Sequence, residues 1–125
     1  MEKVLVMLGA AFMFLGVAVG AFGAHGLSAY LARHELTNTF ETAVRYHMIH
    51  GLAIFVAAWA ADRWAGPLPT WAGYLFVAGI ILFSGSLYLL VATRLRWLGA
   101  ITPLGGVAFL AGWLRLFLAA WQSGQ

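Results

Sequence analysis

The sequence predicts an all-α fold: a four-transmembrane-helix bundle with a short interfacial helix between spans one and two. Three observations predict it. Of the 125 residues, 63% are hydrophobic and 9% charged, whereas a soluble domain carries about 45–50% apolar and about 25% charged residues. Mean hydropathy is +0.89, and a chain this short could not hide so much apolar surface in one water-excluding core. The apolar residues also gather into four stretches approaching the roughly 20 residues that cross a bilayer's hydrocarbon. The whole chain, 1–125, reads as one integral membrane domain.

The first span is residues 4–23, an uncharged run. Met1-Glu2-Lys3 ahead of it imitates a signal peptide. The run is too long for one, and three more spans follow, so it reads as a retained helix. Leu27, Tyr30 and Leu31 then share one helical face, which predicts the short interfacial helix. The second span is residues 40–62. Its apolar part starts only at Met48, behind an amphipathic stretch in which Glu41 and Arg45 stand i,i+4 in the favourable order. Gly66-Pro67-Leu68-Pro69 is a tight turn. The third span is residues 71–93 and the fourth residues 98–121. The fourth has two readings. Either Thr102-Pro103 is an N-cap with proline at the first helical position, or a helix from near Trp97 kinks at Pro103.

Net charge is +3, but the cations lie between apolar runs and read as topology signals. No basic patch interleaved with aromatics exists, which argues against nucleic-acid binding. Cysteine is absent, so disulfides, thiolate metal sites and a cysteine nucleophile are excluded. Lys3, Arg63 and Arg115 fall on the side of the termini, and Arg33, Arg45, Arg94 and Arg96 on the other. The positive-inside rule then places both termini outside the cytoplasm. Trp64, Trp71 and Trp121 on one side, with Tyr30, Tyr46 and Trp97 on the other, form the expected aromatic belts.

Small residues drive helix packing in lipid. Gly9, Gly16, Gly20 and Gly23 form one stripe of span one. Ala72, Gly79 and Ser86 line span three, and Gly105, Ala108, Gly112 and Ala119 line span four. They suit packing within one chain or, alternatively, a homo-oligomer seam. Arg115 lies between Gly112 and Ala119 and is expected to face the packed side. Asp62 is its candidate partner in an intramembrane ion pair; snorkelling of Arg115 to the interface is the alternative.

The remaining polar groups concentrate at one end of the bundle. His25, Glu41, Arg45, His47, His50, Ser84, Ser86 and Tyr88 make a candidate polar cluster. It suits a hydrogen-bonded knot locking spans one to three, a proton or polar-solute pathway, or a metal site. Glu41 stands too far from the histidines for a good ligand set.

At these residues the sequence resembles a known family. The segments are Gly20-Ala-Phe-Gly-Ala-His-Gly26, Phe40-Glu-Thr-Ala-Val-Arg-Tyr46 with His50, Leu82-Phe-Ser-Gly-Ser-Leu-Tyr88, and Leu98-Gly-Ala-Ile-Thr-Pro-Leu-Gly-Gly106 with Gly112-Trp113. They resemble the YgdD-type family of small inner-membrane proteins, similar to eukaryotic transmembrane protein 256. The resemblance spans nearly the whole chain. It implies four helices in a bacterial inner membrane, and no established activity. It carries over Gly23, His25, Gly26, Phe40, Glu41, Arg45, Tyr46, His50, Ser84, Ser86, Tyr88, Pro103 and Gly106. The family more often has glutamine at position 47, so His47 departs from it and a two-histidine metal site is disfavoured. Arg115 lies outside the pattern.

No nucleophilic triad, phosphate loop or paired catalytic carboxylates can be assembled, so no enzyme, cofactor or bound metal is expected. Two function classes stay open. One is a structural, interaction or lipid-binding bundle whose partner is membrane lipid. The other is an oligomeric channel or carrier for a proton, ion or small polar solute that uses the histidine–serine cluster.

Overall fold

A computed structural model describes residues 2–124. It is all-α. α1 (Lys3–Gly26) leads through a short α2 (Ser28–Arg33) to α3 (Thr37–Arg63). α4 (Leu68–Gly79) continues through a π-helical turn (Ile80–Ser84) into α5 (Gly85–Thr93), so Leu68–Thr93 is one rod. A 3-10 turn (Arg96–Ala100) precedes α6 (Thr102–Ser123). Among the described residues three helices are long and apolar enough to cross a membrane: Lys3–Gly26, Leu68–Thr93 and Arg96–Ser123. α3 matches them in length, with 27 residues. Its opening turns hold Thr37, Asn38, Thr39, Glu41 and Arg45, and this polar start sets it apart.

α3 is the hub. α1 packs along one side of it, while the α4–α5 rod packs on its other side and carries α6. Ten α3 residues are buried, from Phe40 to Ala60. Ala53, Ile54, Ala57 and Ala58 meet Leu5, Ala72, Phe76, Ile80 and Phe109 in the main core. The pattern is inverted relative to a soluble protein. Glycines face inward, while Phe14 is 75% and Leu110 71% exposed. Lipid is the solvent that makes such a surface tolerable.

The inward glycines are close approaches. Side chains of the same chain fill the stripes of all three helices: Phe55 lies over Gly9, Met48 over Gly16, Val44 over Gly20, Phe40 over Gly23, Phe109 over Gly79, Phe83 over Gly105 and Phe76 over Gly112. Arg115 departs from expectation. It is exposed, as is Asp62. The buried line of α6 is Gly105, Phe109, Gly112 and Ala119, with Leu116 packed against the core. Arg115 sits one residue, about 100° of helix rotation, off that line.

The helix predicted as the fourth span begins between the two expectations: a 3-10 turn from Arg96 leads into α6, and Pro103 stands in the first turn of α6. Ile101 is the N-cap residue of α6 and no side chain caps it. The Thr102 hydroxyl instead bonds Ser86 Oγ at 2.7 Å. The predicted short helix is α2, but its apolar face points into the bundle. Leu31 is buried with Phe40 and Val91, and the Tyr30 hydroxyl donates to the Val91 carbonyl at 2.7 Å. At this end two loops meet. Glu35 (φ 56°) and Arg94 (φ 60°) take left-handed backbone that non-glycine residues rarely adopt, and Arg94 Nη1 donates to His34 Nδ1 at 3.4 Å.

Candidate functional site

The predicted polar cluster is not one site. The structure divides it into two closed joints, a serine seam and an open cleft.

The first joint is His47, 3% exposed on the inner face of α3. Its Nε2 lies 2.8 Å from the Phe12 carbonyl of α1, and a carbonyl can only accept. Nε2 therefore carries a proton. In the neutral ring Nδ1 then accepts from the Tyr88 hydroxyl of α5, 2.8 Å away. One imidazole thus ties three helices. Gly16 leaves room beside it: a Cβ there would overlap Met48 Sδ and lie 3.3 Å from His47 Nε2.

The second joint is His50, 4% exposed and one turn further along. Nδ1 donates to the Tyr46 carbonyl at 2.8 Å. The Trp113 indole N–H of α6 donates to Nε2 at 3.0 Å. An indole nitrogen is a donor only, so this bond requires the ring in its Nδ1–H neutral tautomer. The imidazole stacks on Phe109 with centroids 3.6 Å apart and planes 8° from parallel. Phe76 and Trp113 flank it. Tyr46, expected in an interfacial belt, turns its ring to Phe83 at 4.5 Å.

Ser84 and Ser86 form the seam. Ser84 Oγ, in the π turn, donates to the Ala43 carbonyl at 2.7 Å. Ser86 Oγ lies 2.9 Å from the Phe83 carbonyl and 2.7 Å from Thr102 Oγ1. Each hydroxyl joins its rod to a neighbouring helix. No buried side-chain nitrogen or oxygen lacks a partner among the described residues.

His25 does not join these groups. α1 continues to Gly26, and His25 is exposed on its outer surface. Among the described residues no three of His, Cys, Asp and Glu converge in a way that could hold a metal. Glu41 and Arg45 are exposed and line a separate cleft of about 490 Å³ with Gly20, Gly23, Leu31 and Val44. The sequence reading missed Trp113 as the partner of His50. The i,i+4 pair Phe109 and Trp113 puts two aromatics on one face of α6, but nothing in the sequence says that this face meets His50.

The chain has close relatives among bacterial membrane proteins. It is 50% identical over 119 residues to the UPF0382 membrane protein YwdK of Bacillus subtilis, covering 94% of this chain and 96% of that protein. It is 44% identical over 120 residues to the UPF0382 membrane protein SAB0533 of Staphylococcus aureus, covering 96% and 97%. The UPF0382 membrane protein SH2409 of Staphylococcus haemolyticus is 42% identical over 120 residues, with the same coverage. No solved structure matches the chain. Residues 19–106 match the family model described as "Protein of unknown function (DUF423)", a stretch that takes in His47, His50, the serine seam and the Glu41–Arg45 cleft but not Phe12, Phe109 or Trp113, the partners of the two histidines on α1 and α6. This chain is a member of that family of membrane proteins.

Proposed function

We propose that the protein is a non-enzymatic four-span bundle of the bacterial inner membrane, and that it acts through the lipid its outer surface binds. α3, the second span along the chain, crosses beside the three more apolar helices, and both termini lie outside the cytoplasm. The finer resemblance to YgdD-type proteins and to transmembrane protein 256 belongs to this proposal and agrees with it. One observation carries it: both ring nitrogens of His47 and of His50 are committed to hydrogen bonds inside the bundle. A metal ligand needs a free nitrogen lone pair, and a proton relay needs proton-exchanging partners on both sides of the ring; here His47 has a backbone carbonyl on one side and His50 a backbone carbonyl and an indole N–H. These rings are used as fasteners.

The test is proteoliposome flux measured beside stability. The wild-type chain is expected to show no proton or ion flux above empty liposomes, and His50→Ala to lower the unfolding temperature in detergent. Wild-type flux abolished by His50→Ala in a protein of unchanged stability would establish the channel or carrier instead.

A further inference from the structure

Glu41 and Arg45 are the charged residues lining a mixed polar and apolar cleft on the α1–α3 flank. The cleft opens between the last turns of α1, α2 and the first turns of α3, and Ser28 and Thr37 add hydroxyls to its lining. Gly20, Gly23, Leu31 and Val44 give it an apolar wall suited to hydrocarbon. The two charges are one turn apart in the order that favours a helical ion pair. Both are nevertheless exposed, and no ion pair joins them among the described residues.

Their depth matters. Glu41 stands four residues and Arg45 eight residues beyond the start of α3, about 6 Å and 12 Å along the axis. A bilayer's polar layer is about 5–8 Å thick on each side of the hydrocarbon. With the start of α3 at the outer edge of that layer, Glu41 lies among the headgroups. Arg45 then lies just beneath them, where an exposed cation is costly unless an anion meets it. A phospholipid supplies charges in a fixed order: phosphate next to the glycerol, and any amine outboard of it. On α3 the cation is the deeper charge and the anion the outer one.

We propose that this cleft binds a phospholipid with a phosphoethanolamine headgroup, Arg45 holding the phosphate and Glu41 the primary ammonium. The inference rests on the reading above that α3 crosses the bilayer. A phosphate–guanidinium contact is a charge-assisted hydrogen bond and can be bidentate. The ammonium has N–H groups to donate to Glu41, whereas the trimethylammonium of phosphocholine has none. A phosphoglycerol headgroup brings no cation, so it leaves Glu41 facing added negative charge.

The full chain in detergent micelles is titrated with phosphatidylethanolamine, phosphatidylcholine and phosphatidylglycerol, and the retained lipid is read by native mass spectrometry. Phosphatidylethanolamine is expected to bind about tenfold more tightly than either competitor, the equivalent of one charged hydrogen bond. Glu41→Gln removes that preference. Arg45→Gln weakens all three lipids, and Arg45→Lys, which keeps the charge, preserves the ranking. The double variant Glu41→Arg/Arg45→Glu keeps composition and net charge but reverses their order along the helix, so it loses the preference. Circular dichroism establishes that each variant keeps its helical content. Equal binding of the three lipids by the wild type overturns the proposal, as does a preference that survives the reversal. Soluble glycerophosphoethanolamine binding as tightly as the lipid overturns it too, and assigns the cleft to a free solute. If α3 does not cross, membrane-impermeant maleimide labelling of single cysteines placed at Ser28 and at Gly66 reports it, and the four-span reading falls as well. Equal lipid binding with α3 across the membrane removes only this inference.

Discussion

His47 and His50 stand three residues apart on α3, and their bonding roles differ. His50 must accept from the Trp113 indole, a role no imidazolium can fill. His47 donates to the Phe12 carbonyl and accepts from the Tyr88 hydroxyl. One donor and one acceptor on a planar group is also what a primary amide offers. His47→Gln is therefore expected to keep both of these hydrogen bonds, and His47→Leu to break both. Cross-helix hydrogen bonds in membranes average about 0.6 kcal/mol, with a maximum near 1.7, so His47→Leu should cost about 1–2 kcal/mol. His47→Gln should cost less than half of that. Denaturation in mixed micelles measures both; equal losses would show that ring shape matters, not the hydrogen bonds. The sequence made the histidines conspicuous and placed His47 and His50 on one face. It could not place His25. That residue follows the inward Gly23 by two positions, about 200° of rotation, and so points outward once α1 runs on as a helix. It could not pair His50 with Trp113 either, because 63 residues separate them and only the fold decides which helices adjoin.

At the scale of the element, two adjacent glycines of α6 have opposite surroundings. A Cβ on Gly105 would lie 2.6 Å from Phe83 Cβ and 2.7 Å from Phe83 Cα, and would also meet its backbone nitrogen. Backbone cannot swing aside as a flexible side chain can. A Cβ on Gly106 meets nothing within 4 Å. Gly105→Ala should therefore destabilise by about 1–3 kcal/mol, the usual cost of overpacking, while Gly106→Ala should stay within about 0.5 kcal/mol of wild type. Thermal unfolding of the two variants compares them directly, and equal effects would refute the close α6–π-turn contact. Helix spans and small-residue stripes were legible because length and 3.6-residue spacing are written in the chain. The π turn was not. Ile80-Ile-Leu-Phe-Ser84 has no local signature; what surrounds it is tertiary, with Ser84 bonded to the Ala43 carbonyl and Phe83 pressed on Gly105. Arg115 was misplaced by its glycine and alanine neighbours, since the stripe passes through Leu116, not Arg115.

For the whole molecule, the decisive relation is between α1 and α3. Phe55 covers Gly9, Met13 covers Gly51, His47 reaches Phe12 beside Gly16, Val44 covers Gly20 and Phe40 covers Gly23. As the α1 position rises from 9 to 23, its α3 partner falls from 55 to 40. The two helices are antiparallel neighbours over nearly their full length. α1 is uncharged from Val4 to Ala24 and long enough to cross. The proposal of four spans rests on this register: with α1 across the bilayer, α3 beside it would lie at the same depth, and its 27 residues reach about 40 Å against a hydrocarbon core of about 30 Å. Its polar start, Thr37 to Glu41, would then fall in the headgroup layer with Arg45 just beneath it, and those residues lower its hydropathy. Cysteine is absent from the chain, so single cysteines can report sidedness without background. Cysteines placed at Gly66 and Ser123 are expected to react with a membrane-impermeant maleimide in intact cells. One at Ser28 should react only after permeabilisation. Labelling of Ser28 and Gly66 from the same side would mean that α3 does not cross. The reverse accessibility of all three would keep four spans and turn the molecule over, placing the Glu41–Arg45 cleft in the outer leaflet.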